Sequence, residues 1–307
     1  MEAETLFSAL QADGVDEGLL GQAQTLRENN PVDKMLSARI PRPDCPYYGA
    51  EVWNAALAAL LAGKNLLLSG PKATGKNVLC ENLAALFGRP AWDVSFHVGM
   101  DAAYLIGADS FDGSRVVFKP GPVWLAARDG GFAVLDEINM AKNEALAVLH
   151  SVLDFRRVID VPGYERLPVH PMSRFIGTMN YGYAGTRELN EALCSRFLVI
   201  SMPVISEDNL RRILLGQFPK LEKRALSQFV RLFYELNEKA EHAEISERAV
   251  DLRGLLDALR MMELGIPAGT ALRMGIVNKC FDPYEQKLIA DVIFARISEK
   301  AGPELFR

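Results

Sequence analysis

Histidine and cysteine are both scarce in this chain of 307 residues, at four each. The cysteines, Cys45, Cys80, Cys194 and Cys280, lie far apart and form no C-x-x-C pair. With the histidines also scattered, the spacing indicates neither a disulfide framework nor a zinc site, and the cysteines read as reduced thiols. No apolar run approaches the roughly 18 residues that a membrane-crossing helix needs. The N-terminus, MEAETLFSALQADG, lacks the positive-then-apolar order of a signal peptide. A cytoplasmic protein with no membrane partner is therefore expected. An excess of positive charge is missing too: the net charge is −5, which does not suggest an electrostatic nucleic-acid binder. Internal repeats and low-complexity tracts are absent. What remains is 49% hydrophobic and 24% charged, the profile of a folded globular chain with one large or two ordinary domains.

The most informative stretch is Leu66 to Cys80, LLLSGPKATGKNVLC. Gly70 and Gly75-Lys76 have the G-x-x-x-x-G-K spacing of a phosphate-binding loop, set between a buried strand and an apolar helical pattern. Backbone N–H groups of such a loop converge on phosphate oxygens, and the helix N-terminus adds its positive dipole end. Glycine lets the backbone approach without a Cβ in the way. Gly70, Pro71, Lys72, Ala73, Thr74, Gly75, Lys76, Asn77 and Val78 are the expected nucleotide-binding residues, with Lys76 reaching the β- and γ-phosphates. Asn77 stands where Ser or Thr normally offers a hydroxyl to Mg²⁺. An Asn carbonyl can ligate a hard cation, with different geometry.

Residues 1 to about 40 are polar with modest helical periodicity, and a peripheral helical pair or extension is expected there. Pro41, Pro43 and Pro46 mark a stiff connector. Strands are expected over 65–68, 91–96, 132–135, 174–177 and 197–202, alternating with helices, which argues for a parallel sheet with helices on both faces. An Asp112-Gly113 pair and Pro162-Gly163 mark two hairpins, near 111–118 and 158–169. A single helix is expected over 145–153. Beyond Pro203 only helical patterns follow. The expected partition is 1–40, 41–203 as an α/β nucleotide-binding domain, and 204–307 as a helical domain.

Phe132 to Leu135 is a continuous apolar run, as a strand buried on both faces should be. It ends in Asp136-Glu137, at the strand end where open α/β sheets bind ligands. Asp136 suits a Mg²⁺ site shared with Asn77, and Glu137 suits the polarising of an attacking water. The same pair could serve only as a helix cap and a surface charge. Asn180 follows another buried strand, where it could contact water or the γ-phosphate, or simply close an Asx-turn. Arg196, by pattern alone, reads as a surface arginine, although a charge there could act as a finger.

LLLSGPKATGKN, FAVLDEINMAKNEALAVLHSVLD, FIGTMNYGYAGTRELNEALCSRF and the helical C-terminal part together resemble the AAA+ ATPases, within them the MoxR-type and dynein/midasin-like branch. The resemblance spans roughly residues 40 to 297. It implies a P-loop α/β fold with a parallel five-stranded sheet flanked by helices, followed by a smaller all-α lid. It also implies ATP and Mg²⁺ as cofactors. Lys76 then matches the Walker A lysine, Asp136 the Walker B metal-site aspartate, Glu137 the catalytic glutamate and Asn180 the sensor-1 position. Arg196 matches the arginine finger that acts on a neighbouring subunit's nucleotide. Val250-Asp251-Leu252-Arg253 resembles the sensor-2 segment, with Arg253 its candidate and Arg248 a rival. The two hairpins resemble inserts that face the pore or a partner.

The resemblance implies a homo-oligomer, a hexameric ring, and a protein client, reached through a separate von Willebrand factor A-domain protein in many relatives. The expected function is a ring-forming ATPase that remodels or activates a protein partner. Asn77 keeps a second reading open, an ATP-assembled scaffold with slow or absent hydrolysis. A third, a nucleic-acid-linked GTP or ATP motor subunit, is lowered by the acidic charge balance.

Overall fold

The computed structural model describes residues 3–161, 163–180 and 188–306. Two stretches of the sequence reading fall outside these, Pro162 at the turn of the second hairpin and 181–187 between Asn180 and Arg196. The chain separates into two compact units, Met1–Pro71 with Gly75–Pro203, and Lys72–Thr74 with Val204–Arg307.

The first unit opens with helices α1 (Ala3–Ala12), α2 (Glu17–Asn29) and α3 (Ala50–Leu61). Strand β1 (Leu66–Ser69) leads through the loop into α4 (Lys76–Leu86), and β2 (Ala91–Ser95) follows. Next come α5 (Ala102–Ile106), a hairpin of β3 (Gly107–Phe111) and β4 (Val116–Pro120), then α6 (Pro122–Arg128) and β5 (Phe132–Asp136). Two single turns, α7 (Asn143–Leu146) and α8 (His150–Leu153), precede a short hairpin of β6 (Val158–Ile159) and β7 (Leu167–Pro168). The unit ends with β8 (Arg174–Met179), α9 (Glu191–Cys194) and β9 (Leu198–Ser201). The second unit holds α10 (Glu207–Gln217), α11 (Lys223–Glu241), α12 (Leu252–Glu263), α13 (Ala268–Gly275) and α14 (Pro283–Arg296).

Five strands form one parallel sheet in the order β2-β5-β8-β1-β9. Because side chains alternate along a strand, each apolar run feeds two cores. Leu66 and Leu68 of β1 pack with Phe132, Val134 and Ile176 against α3 and α4. Leu67 packs with Ala133, Leu135 and Phe175 on the opposite face, against α6 and the α7–α8 segment. Burial on both faces explains why the strands read as unbroken apolar runs.

Three expectations change. The N-terminal pair is not peripheral: Leu6, Leu10, Leu20 and Ala23 are buried in the same core as α3 and α4. The expected helix over 145–153 is broken into α7, a 3₁₀ turn (Ala147–Leu149) and α8. The strand tip at Asn180 is reached by a longer β8 than expected, ending at Met179.

In the second unit, α12 and α13 cross at Gly254 and Gly275, where neither residue leaves room for a Cβ: one built on Gly254 would sit 2.0 Å from the Gly275 carbonyl oxygen. The two hairpins of the first unit are joined. Tyr164 Oη donates to Asp109 Oδ1 at 2.6 Å, and its ring lies 5.0 Å from that of Phe118. No described helix is long and apolar enough to cross a membrane.

Candidate functional site

The ends of β1, β5 and β8 meet because the three strands are adjacent in register: Ser69 pairs with Met179, and Leu135 with Gly177. The chemistry-bearing residues follow those strand ends. After β1 the chain turns through Gly70, whose position against Met202 leaves no space for a side chain: a Cβ would meet Met202 Cβ and O at 2.9 Å. Ala73 and Gly75 both have positive φ, 60° and 79°. Gly75 adopts this readily; Ala73 is held in a conformation that costs a residue with a Cβ about 1 kcal/mol or more. Thr74 is buried and Lys72 exposed.

Lys76 begins α4 and is 7% exposed. Its ammonium donates to the carbonyls of Gly70 at 2.9 Å and Pro71 at 2.6 Å, folded onto its own loop. Burial pushes its pKa down to about 8, against the opposing pull of Asp136 and Glu137. Cys80, one turn further on, is buried and its thiol is held up by that burial.

Asp136 ends β5 and is gripped from two sides. Thr178 Oγ1 of β8 donates to Asp136 Oδ1 at 2.6 Å, and Asn77 Nδ2 donates to Asp136 Oδ2 at 3.1 Å. The Asn77 contact bears on the metal question. A hydroxyl here could donate to Asp136 and offer its oxygen to a cation. The Asn77 amide can do the same with two atoms, its NH₂ turned to Asp136 and its carbonyl oxygen left as the acceptor. The donor set, a carboxylate and a neutral amide oxygen, is one of hard oxygens, as Mg²⁺ requires. These residues fit the ion.

Glu137 has φ 54°, ψ 42°, a left-handed turn that redirects the chain at once after the strand. Its N–H donates to Thr178 Oγ1 at 3.0 Å, and its carboxylate Oε1 accepts from Asn180 Nδ2 at 3.1 Å. Asn180 is 9% exposed, and its own carbonyl accepts from Asn139 Nδ2 at 2.7 Å. Asp136, Glu137, Asn77, Lys76 and Asn180 are thus brought together at the strand ends.

Two residues of this network were not singled out from sequence. Thr178 holds both Asp136 and the Glu137 backbone; its signal is a lone hydroxyl in the apolar run RFIGTM. Asn139 anchors Asn180; its signal is an amide within INM that the fold buries to 3% exposure.

Arg196 does not join that cluster within this chain. It sits in the turn between α9 and β9, with Nε donating to the His150 carbonyl at 3.3 Å, a guanidinium N–H to the Ala192 carbonyl, and Nη2 3.6 Å from Asp154 Oδ2. Arg156 binds the same carboxylate more closely, at 2.6 Å, and is the main reason that the Asp154 pKa falls to about 2. Arg253 lies in the second unit, exposed on the first turn of α12. Arg248, also exposed, stacks over the Phe281 ring at 5.5 Å.

Residues 65–197 match the profile of the AAA domain, dynein-related subfamily. The uncharacterised protein YojN of Bacillus subtilis is 35% identical over 243 residues, covering 77% of this chain and 79% of that protein. Uncharacterised proteins of Staphylococcus haemolyticus and of Staphylococcus aureus strain NCTC 8325 are each 34% identical over 248 residues, covering 79% of this chain and 94% of theirs. The chain belongs to the dynein-related subfamily of AAA-domain proteins.

Proposed function

We propose that this chain is a ring-forming ATPase that couples ATP binding and Mg²⁺-dependent hydrolysis to the remodelling of a protein partner, as MoxR-type chaperones do. The observation that carries the reading is the continuous hydrogen-bonded path Asn77–Asp136–Thr178–Glu137–Asn180, which ties the phosphate loop to two strand ends. In this reading 41–203 is the nucleotide-binding domain and 204–307 its helical lid.

Gly70 to Val78 cradle the phosphates, and Lys76 leaves its own loop carbonyls for phosphate oxygens. Asn77 and Asp136 would hold Mg²⁺, which when bound would neutralise phosphate charge. Glu137 takes a proton from the attacking water, and Asn180 fixes the orientation of Glu137. Little covalent work is asked of the protein in phosphoryl transfer; positioning and charge do most of it. Arg196 serves the nucleotide of a neighbouring copy, which makes assembly part of catalysis and favours a closed, hexameric ring. Arg253 is the sensor-2 candidate of the helical unit. The joined hairpins, with Phe111 and Val116 exposed at the tip of the first, present the surface to a client or to a von Willebrand factor A-domain partner.

The test is steady-state ATP hydrolysis by the wild type, Glu137→Gln and Asn77→Thr, with size-exclusion chromatography with and without ATP. Turnover that depends on Mg²⁺ and collapses in Glu137→Gln is expected. A wild type that assembles with ATP yet turns over no faster than Glu137→Gln refutes the motor reading and leaves the scaffold reading.

A further inference from the structure

The helical unit carries a basic pocket that the proposed ATPase chemistry does not use. Between α11 and α14 lies an open groove of about 500 Å³, lined by Arg224, Ser227, Gln228, Arg231, Ala295 and Arg296. Three of the six lining residues are arginines, and none is acidic. Arg224 and Arg231 are seven residues apart on α11, which places them on one face about 10 Å apart along the axis. Arg296 ends α14 opposite them.

The pocket wall is held in place by its neutral members. Gln228 Nε2 donates to the Arg296 carbonyl at 3.0 Å, linking the two helices. Ser227 Oγ donates to the Lys223 carbonyl at 3.1 Å and accepts from Arg211 Nη1 at 3.3 Å. A single carboxylate, Glu235, pairs with Arg296. Among the described residues, neither Arg224 nor Arg231 has a carboxylate within ion-pair distance. Three guanidiniums therefore face one compensating charge.

Folding does not require this arrangement. The core face of α11 is carried by Ala225, Phe229, Leu232, Phe233 and Leu236, and both unpaired arginines are exposed. Like charges gathered in a concavity repel one another, and an anion relieves that repulsion. A guanidinium fork matches the oxygens of phosphate bidentately. Ala295 is the sole apolar lining residue, so the aromatic or aliphatic anchors of a peptide interface are missing.

We propose that this pocket is a binding site for a small anion bearing two or more phosphate groups, additional to the phosphate loop. The test is calorimetry of inorganic pyrophosphate added to the full chain carrying Lys76→Ala, which removes the loop's own phosphate-binding cation. Saturable one-to-one binding is expected, weakened about tenfold by Arg224→Gln and again by Arg231→Gln, as the loss of a charge-assisted contact implies. Arg224→Lys with Arg231→Lys keeps the charge but loses the fork, and should fall between. Unaltered binding in the double Gln variant with an unchanged melting temperature overturns the proposal. Absence of binding at millimolar pyrophosphate overturns it too, as does capture of a glutamate-rich peptide at the pocket in place of pyrophosphate.

Discussion

At the proposed nucleotide site Lys76 is a proton-linked element, and the size of the linkage follows from its burial. Burial lowers its pKa to about 8, more strongly than Asp136 and Glu137 raise it. In the unliganded chain the ammonium is therefore about nine-tenths protonated at pH 7 and about one-tenth at pH 9. A polyphosphate against it restores a favourable partner for the charge and raises the pKa. Binding then takes up a proton: about half a proton per site at pH 8, and close to one at pH 9. The affinity for a non-hydrolysable ATP analogue should fall about eightfold from pH 7.5 to pH 9, or about 1.2 kcal/mol. Above pH 7.5 the phosphates are already ionised, so their own titration adds little. Stability has the opposite slope. The unfolded lysine binds its proton up to about pH 10.5 while the folded one releases it near 8, so the unliganded chain gains stability as pH rises through that window. The assay is calorimetry at pH 7.5, 8.25 and 9 in buffers of different ionisation enthalpy, with Lys76→Met as the control. Uptake below about 0.1 proton at pH 9, or an affinity independent of pH, refutes the argument.

Three further outcomes follow, two from the geometry and the third from the proposed ring. Thr178→Val removes the donor to Asp136 and the acceptor for the Glu137 N–H, and should cost about 1–3 kcal/mol in urea unfolding together with most of the turnover; full activity would show that Asp136 needs no such clamp. Gly254→Ala places a methyl 2.0 Å from the Gly275 carbonyl oxygen, and should cost about 2–3 kcal/mol of stability as α12 and α13 are forced apart; an unchanged denaturation midpoint would contradict the close crossing. Arg196→Ala should lower turnover about 10³-fold while leaving nucleotide affinity nearly unchanged. Mixing it with Glu137→Gln should restore part of the activity, since a pocket with both groups intact then forms between unlike subunits, and a mixture as inactive as its components would count against a shared site.

The legibility of this chain varied with the kind of signal. Leu66 to Leu68 and Phe132 to Leu135 read as strands because both sheet faces are covered, so alternation is lost and only an apolar run remains. Asp136-Glu137 read as a site because charged residues at the end of such a run have few structural reasons to be there. The N-terminal helices read as peripheral because Leu6, Leu10, Leu20 and Ala23 are sparse among polar residues, yet those four are buried against α3 and α4. The segment over 145–153 read as one helix because its apolar spacing is helical throughout; Leu146, Leu149 and Val152 are indeed buried together, but the backbone tightens to a 3₁₀ turn between them.

By itself the sequence determined the parallel α/β architecture and the helical second unit, and it singled out the G-x-x-x-x-G-K loop with Lys76, Asp136, Glu137 and Asn180 as the candidate site, because spacing and periodicity are local properties of a chain. Only the tertiary structure decided what each of those residues touches. Strand adjacency brings Thr178, 42 positions away, onto Asp136, and sets the Asn77 amide against the same carboxylate from α4. The meaning of Asn77 thus changed from a departure in a motif to a donor–acceptor pair suited to the proposed Mg²⁺ site. The arginine-lined groove arose in the same way, since nothing in the spacing of Arg224, Arg231 and Arg296 shows that two helices bring them to one side of the same depression.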